Sequence, residues 1–541
     1  MSRYDTIIVG AGSAGCVLAA RLGEDSTRRI LVIEAGGEDD HWLIHLPLGV
    51  GKAWNDPRWN WSYVSEPEPH LDNRRIEHPR GKVVGGSSSI NIMAYVRCHR
   101  IDYDRWPQLG LKGWSYADVL PYFKRAESFA EGESGFRGGA GPLLTCKNLA
   151  NDDVHDAFMA SASKLGYRAN DDYNAGEQEG FGRLQHTIGN GRRSSAAVAY
   201  LRPAMRRGNV TLVTRAHATA IRFDRMRAVG VAYVQDGKAH DVLAEREVIL
   251  AGGAYNSPQL LMLSGIGPAD ALRRVGIAVR LDLPGVGQNL WNHPSMPTQW
   301  LRATEGSFHR GLRLDRLALH LAEAYFRRTG FATRVPAIGT AFTNSETGLE
   351  APDLQYFCGV GGIRAREWFP VIRPPQPDVL GLTYCHLRPQ SRGEVTLGTA
   401  DPLASPRILN NFLSTDYDRR AMREGMKFAI RAVEETKAFS GLAKRRILPA
   451  PEIKTDAEID AYIRANTIQI HHPAGTCRIG DDPMAVVDHE FRVRGVEGLR
   501  VIDASIMPDP IGGNLNAPVI MIAEKASDIL RGRTPLPPAD I

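Results

Sequence analysis

The chain has 541 residues, 43% hydrophobic and 23% charged, a globular composition long enough for two or more lobes around a large core. Its 66 basic and 61 acidic residues leave a formal net charge of +5 spread along the whole length, too dilute for a nucleic-acid surface, and the apolar content excludes a disordered chain. Six cysteines are scattered without a C-x-x-C pair, so neither a zinc ribbon nor a disulfide framework is indicated and a reducing, cytoplasmic setting fits best.

The N-terminal stretch "YDTIIVGAGSAGCVLAARLGED" predicts a strand over Asp5 to Val9, a glycine turn, and a helix carrying Val17, Leu18, Ala20 and Leu22. Gly10 permits the turn, Gly12 lets the backbone approach a pyrophosphate, and Gly15 lets helix and strand pack closely. "RRILVIEAGG" then reads as a second strand ending in Glu34, about 20 residues past Gly15, the spacing of an acid that binds ribose hydroxyls. Strand, turn, helix, strand and acid together point to a dinucleotide, FAD or NAD. No basic leader with an apolar core and cleavage site precedes them, and no uncharged apolar run reaches about 18 residues. The expectation is a protein without a membrane span, with peripheral membrane association left open.

Further along, "HPRGKVVGGSSSINIMAYVRCHRIDYDRW" (78–106) sets Gly85 and Gly86 before three serines and Asn91, a composition that brings backbone N–H groups close to an anion or a flat ring. "GAYNSPQLLMLSGIGP" (253–268), "LPGVGQNL" (283–290), "LRPQSRGEVTL" (387–397), "QIHHPAGTCRIG" (469–480) and "VIDASIMPDPIGGNLNAPVIMIAEKASDIL" (501–530) follow in order. On these motifs the chain resembles the glucose-methanol-choline (GMC) oxidoreductases, flavoenzymes that oxidise alcohols. The resemblance implies FAD, an α/β fold (α+β overall) with a Rossmann-like FAD-binding domain discontinuous in sequence (1–100, 199–300 and 460–541), and a substrate domain on an antiparallel sheet flanked by helices (101–198 and 301–459).

The same resemblance implies the cofactor contacts: Gly10, Gly12, Ser13, Ala14 and Gly15 at the pyrophosphate, Glu34 with Ala35 at the adenosine ribose, and Ala218 against adenine. Val84, Gly86, Asn91, Ile92, Met93 and Ala94 are implied on the flavin side, with Asp503, Ala504 and Asn514 near the ribityl chain and pyrophosphate. Some relatives attach FAD through a histidine just before the asparagine of the first motif. Ile90 stands there and cannot form that bond, so non-covalent FAD follows. Trp291 and Asn292 replace the usual Gln-Asp before "HP", and His293 is expected to be structural.

In the middle of the chain, "APDLQYFCGV" and "PDVLGLTYCHLRP" alternate as antiparallel strands do, while "LRLDRLALHLAEAYFRRT" and "DYDRRAMREGMKFAIRAVEETKAF" have helical periodicity. The tail "RTPLPPADI" reads as a frayed end.

Late in the chain, "QIHHPAGTCRIG" raises four chemistries: metal ligation, a Cys/His nucleophile, proton transfer, or packing alone. A metal set of His471, His472 and Cys477 is disfavoured because adjacent extended residues point to opposite sides. Alcohol oxidation needs a base beside the flavin, and imidazole titrates near working pH. The resemblance places the base at His472, held extended by Pro473, and its partner at Asn516, whose amide binds the substrate oxygen. His471 is expected to line the substrate pocket. The function expected is FAD-dependent oxidation of an alcohol, with reoxidation by a quinone-like acceptor or O2. The alternatives are a hydroxynitrile-lyase-like enzyme with non-redox FAD and a flavin-binding scaffold without catalysis.

Overall fold

The computed structural model describes residues 2–362 and 365–541. Strand Arg3–Val9 runs parallel between Ile30–Ile33 and Lys238–Leu250. Val210–Val213 extends the parallel set beyond Ile30–Ile33, and Leu499–Val501 pairs with the end of Lys238–Leu250. All four residues of Ile30–Ile33 are buried, as expected of a parallel strand covered on both faces. The sheet is completed by an antiparallel meander, Ala216–Asp224, Arg227–Gln235 and Lys238–Leu250. Its second turn is Asp236-Gly237, both at positive φ, the sequence pair that suits a tight hairpin.

Helix Ser13–Leu22 follows the first strand, and the C-terminal helix Asn516–Leu530 packs on it. Both are buried almost all round. Glu524, fully buried, joins them: its two oxygens accept from Arg21 Nε and Nη2 at 2.9 Å each, with Arg125 Nε at 2.7 Å and Tyr200 OH at 2.8 Å. Such bidentate, charge-assisted pairing fixes orientation as well as distance. The helix end that carries Asn514 and Asn516 is therefore set by a contact in the middle of the same helix.

The second sheet is antiparallel, in the order Ala443–Leu448, Pro294–Arg302, Val379–His386, Leu354–Gly359, Ala337–Thr343, Gly180–Arg183, with Ile468–Gln469 also paired to Pro294–Arg302. Both strands expected in the middle of the chain form. Pro294–Arg302 and Ile468–Gln469 lie in segments assigned from sequence mainly to the first lobe, yet they hydrogen-bond into the second sheet. Helix Asp416–Ile430 covers this sheet with Met422, Met426 and Ala429 at helical spacing, and Tyr384 OH and Tyr356 OH donate to its Met422 and Gly425 carbonyls at 2.6 and 3.0 Å. The C-terminal tail is tied down rather than frayed: Leu536 N donates to Tyr122 OH at 3.0 Å and Ala539 N to the Ala117 carbonyl at 2.9 Å.

Gly15 shows how tightly the first turn is built, since a Cβ there would lie 1.9 Å from the Gly10 carbonyl oxygen. Gly15→Ala must push the helix off the turn, a clash that typically costs about 1–3 kcal/mol or more. We expect a lower Tm and less FAD in the purified protein, read by thermal unfolding and visible absorbance. Gly135→Ala, where a Cβ meets nothing within 4 Å, should change neither.

Candidate active site

The turn after the first strand opens into a cavity of about 1530 Å³ between the two sheets. Gly10 is at φ 104°, a conformation that favours glycine, and Gly86 approaches so closely that a Cβ on it would sit 2.7 Å from Gly12 Cα. A Cβ on Gly12 would meet no protein atom nearer than 3.9 Å. Helix Ser13–Leu22 has no side-chain cap and no acid in its first turn, so its first N–H groups and positive dipole end are free for an anion. Glu34 lines the same cavity, its carboxylate accepting from Ala11 N at 2.9 Å and Gly36 N at 2.8 Å. Burial pushes the Glu34 carboxyl up to about 7 against the pull of those two N–H groups. Room for a pyrophosphate at a helix N-terminus, an acid at the ribose distance and a volume above the ~300–1,000 Å³ of a single-ligand pocket all fit a dinucleotide with a substrate beside it.

Most of the expected cofactor contacts line this cavity: Gly10, Gly12, Ser13, Ala14, Glu34, Ala35, Gly86, Asn91, Ile92, Ala94, Ala218, Asp503, Ala504 and Asn514; so does Asn516, expected as the partner of His472. Gly15, Val84 and Met93 do not. Gly15 is closed over by the Gly10 carbonyl, Val84 is wholly buried in the main core, and Met93 packs with Val50, Ile188 and Val335. The serines of the second glycine cluster serve the backbone: Ser88 Oγ donates to the Gly85 carbonyl and Ser89 Oγ to that of Val84, at 2.6 and 2.7 Å. Asp503 accepts from Gly253 N, Ser257 Oγ and Ser505 N at 2.8, 2.5 and 2.8 Å, tying the start of helix Gly253–Leu263 to the C-terminal segment.

His472 stands where the cavity reaches the second sheet, 7% exposed. Its Nε2 accepts from Asn514 Nδ2 at 3.1 Å, so Nδ1 carries the proton and donates to His293 Nδ1 at 2.9 Å. Gln355 Nε2, 3.4 Å from Asn514 Oδ1, holds the amide this way round. His472 is kept well below the ordinary histidine value, first by burial, then by the like charge that His293 and His471 would carry if protonated, and by the cation of Arg80. Burial likewise lowers His293 and His471 to about 3 each. The result is an array of neutral imidazoles.

Two expectations change. The amide beside His472 is that of Asn514, whereas Asn516 Oδ1 accepts from Ser13 Oγ at 2.7 Å and so joins the C-terminal helix to the pyrophosphate turn. Asn516 begins the helix proper, and its side chain turns toward helix Ser13–Leu22, while Asn514 lies in the preceding turn. His293, expected to be structural, is the ring that backs His472, with ring centroids 5.1 Å apart.

Three further groups had no role assigned from sequence. Asn292 Oδ1 accepts from both His293 N and His472 N at 2.9 Å, pinning the two histidine backbones together. An amide does here what the usual acid would do as an acceptor, without adding charge. Arg80 Nη1 donates to the His471 carbonyl at 2.7 Å, and Trp54 packs edge-on against the His471 ring, centroids 4.8 Å apart. His471 lines the cavity and adopts φ 68°. Only Asn292 carried a signal, as a departure inside a recognised motif. All six cysteines are free, and among the described residues no group of three His, Cys, Asp or Glu is placed to hold a metal.

Comparisons with known proteins identify the family. Profiles described as GMC oxidoreductase match residues 4–295 and 389–523. The chain is 44% identical over 540 residues to an oxygen-dependent choline dehydrogenase of Sinorhizobium fredii, covering 98% of this chain and 96% of that protein. It is 41% identical over 547 residues to the mitochondrial choline dehydrogenase of Homo sapiens, covering 99% and 91%. A crystal structure of Aspergillus oryzae RIB40 formate oxidase, titled for modification of its FAD, superimposes with a TM-score of 0.90 at 27% identity over 98% of each chain. The chain belongs to the GMC oxidoreductases and is an FAD-dependent alcohol dehydrogenase or oxidase of that type.

Proposed function

We propose that the protein oxidises an alcohol to an aldehyde or ketone with His472 as the base and Asn514 as its partner. The observation that carries this is the convergence of His472 Nε2 and Asn514 Nδ2, 3.1 Å apart, on the cavity that also holds the pyrophosphate turn and Glu34. The Gly10–Ser13 turn, Glu34, Asn91, Ile92 and Ala94 would hold FAD, which when bound would accept the hydride that leaves the alcohol carbon. The hydroxyl proton passes to His472 Nε2. Asn514 Nδ2 donates to the same oxygen and steadies its developing negative charge. His472 Nδ1–H keeps its bond to His293 throughout, which fixes the ring while its outer nitrogen gains the proton. No carboxylate stabilises the imidazolium so formed, so the proton is released readily.

Reoxidation by a quinone-like acceptor or O2 is part of the same reading. The free cysteines support a reducing, cytoplasmic location, and among the described residues no helix is long and apolar enough to cross a membrane. We take the two sheets as the cores of the cofactor and substrate lobes. A pair that takes up a hydroxyl proton would serve a lyase with non-redox FAD as well; the relatives named as choline dehydrogenases favour oxidation.

Anaerobic stopped-flow reduction of the bound flavin tests the pair. His472→Ala should slow reduction by at least about a hundredfold, and Asn514→Ala by about 10²–10³-fold, the usual loss for a single oxyanion donor. Asn516→Ala should instead weaken FAD retention and leave the rate near that of the wild type. The opposite ranking of the two asparagines would contradict the assignment.

The pH dependence follows from the lowered His472 value. A base works deprotonated, and depression below the ordinary ~6.5 keeps it deprotonated through and below that pH. The flavin-reduction rate constant should stay level as pH falls from 8 past 6.5. An acid limb centred at or above 6.5 would show that His472 titrates as an ordinary, solvated histidine.

A further inference from the structure

We infer that the alcohol taken by this site is an uncharged one on an extended apolar chain, and not a quaternary ammonium alcohol such as the choline named for its relatives. The inference rests on the alcohol-oxidising reading above and narrows its substrate class. Much of the lining beyond the His472–Asn514 pair is apolar: Phe357 and Val379 on the second sheet, Phe308 and Leu312, and Leu317 and Leu321 on helix Leu314–Arg327. Leu319 and Phe326 of the same helix are 72% and 81% exposed.

A buried quaternary ammonium group needs a nearby carboxylate or the open faces of several aromatic rings. On the strand that leaves His293, the cavity-facing side chains are Ser295, Pro297 and Gln299, none of them charged. Each acid lining the cavity is engaged or remote. Glu34 and Asp503 bind backbone N–H groups at the cofactor end. Asp378 holds Gly306 N at 2.6 Å and Arg302 at 3.8 Å, Glu367 pairs with Lys52 and Arg373 at 3.1 and 2.6 Å, and Glu77 is turned to solvent. A cation, Arg80, is bonded to the His471 carbonyl. Of the rings that line the cavity, Trp54 packs on His471, Trp42 on His41, Trp61 and Tyr255 on Tyr63, and Phe308 on Phe331, which leaves Phe357 as a single ring and not a cage. A cationic substrate would meet like charge and find no partner, whereas a neutral chain fills the passage by burying its methylenes.

The test uses the FAD-loaded enzyme in anaerobic stopped flow with a series of linear primary alcohols from three to eight carbons, and with choline. Each added methylene should raise the second-order rate of flavin reduction by about fourfold, the value of a buried CH₂, and choline should leave the flavin oxidised. Leu321→Asp should flatten the series. Rapid reduction by choline, or a rate independent of chain length, would overturn the inference while leaving alcohol oxidation intact. A second readout does not depend on chemistry: tertiary alcohols of matched length, which have no hydride to give, are titrated against the flavin's visible spectrum beside tetramethylammonium. Tighter binding with length and none for tetramethylammonium is expected, and supports the inference even if no alcohol reduces the flavin, a result that would defeat the oxidation reading alone. Equal affinity at every length would overturn it.

Discussion

A histidine buried without a counter-charge is the constraint on which the site depends. His472 is surrounded by His293, His471, Asn514 and the amide of Asn292, and the one full charge that bears on it is the cation of Arg80. Desolvation and that positive potential act in the same direction, so the ring stays neutral and its outer nitrogen keeps a lone pair. A carboxylate in place of His293 would hold the proton on His472 after transfer. A neutral imidazole orients the ring equally well without trapping the product proton, and Asn292 accomplishes the backbone alignment with a single carbonyl oxygen.

The rest of the fold brings these groups to one place from distant parts of the chain. His293 begins a strand of the second sheet, His472 follows another strand of that sheet, and Asn514 sits just before the helix that packs on the pyrophosphate turn. Two links fix the C-terminal helix on the cofactor turn. Glu524, clamped by Arg21 and Arg125, fixes the C-terminal helix against the first helix. The Ser13–Asn516 hydrogen bond ties that helix's first turn to the cofactor turn. Breaking the buried Glu524 cluster by removing one partner leaves a desolvated charge, a loss of roughly 3–5 kcal/mol, and would be felt at Asn514 although the two are more than two helical turns apart.

Local features were legible in the sequence because they are dictated by local sterics. The glycine turn, the strand ending in Glu34, the Asp-Gly hairpin and the two helices in the middle of the chain are each written in the period and turn chemistry of a short window. Motif order then located His472. What the sequence hid are contacts set by tertiary direction. Asn514 and Asn516 are alike in chemistry and two residues apart across a helix start, so only the fold decides which amide faces His472. His293 meets His472 across 179 positions of chain, a contact that the departure at Asn292 gave no hint of. Val84 and Met93 sit inside a cofactor motif but turn into the core, since in an irregular segment nothing in the residue type reveals which side chains face inward. Pro294–Arg302 pairs into the second sheet because a strand's partners are set by the tertiary fold and not by its own residues.

A structure of the FAD-loaded protein with a bound, non-oxidisable alcohol tests the central claim most directly. The account predicts the alcohol oxygen within hydrogen-bonding distance of both His472 Nε2 and Asn514 Nδ2, with Asn516 still bonded to Ser13. An oxygen held by Asn516, or one out of reach of His472, would contradict it.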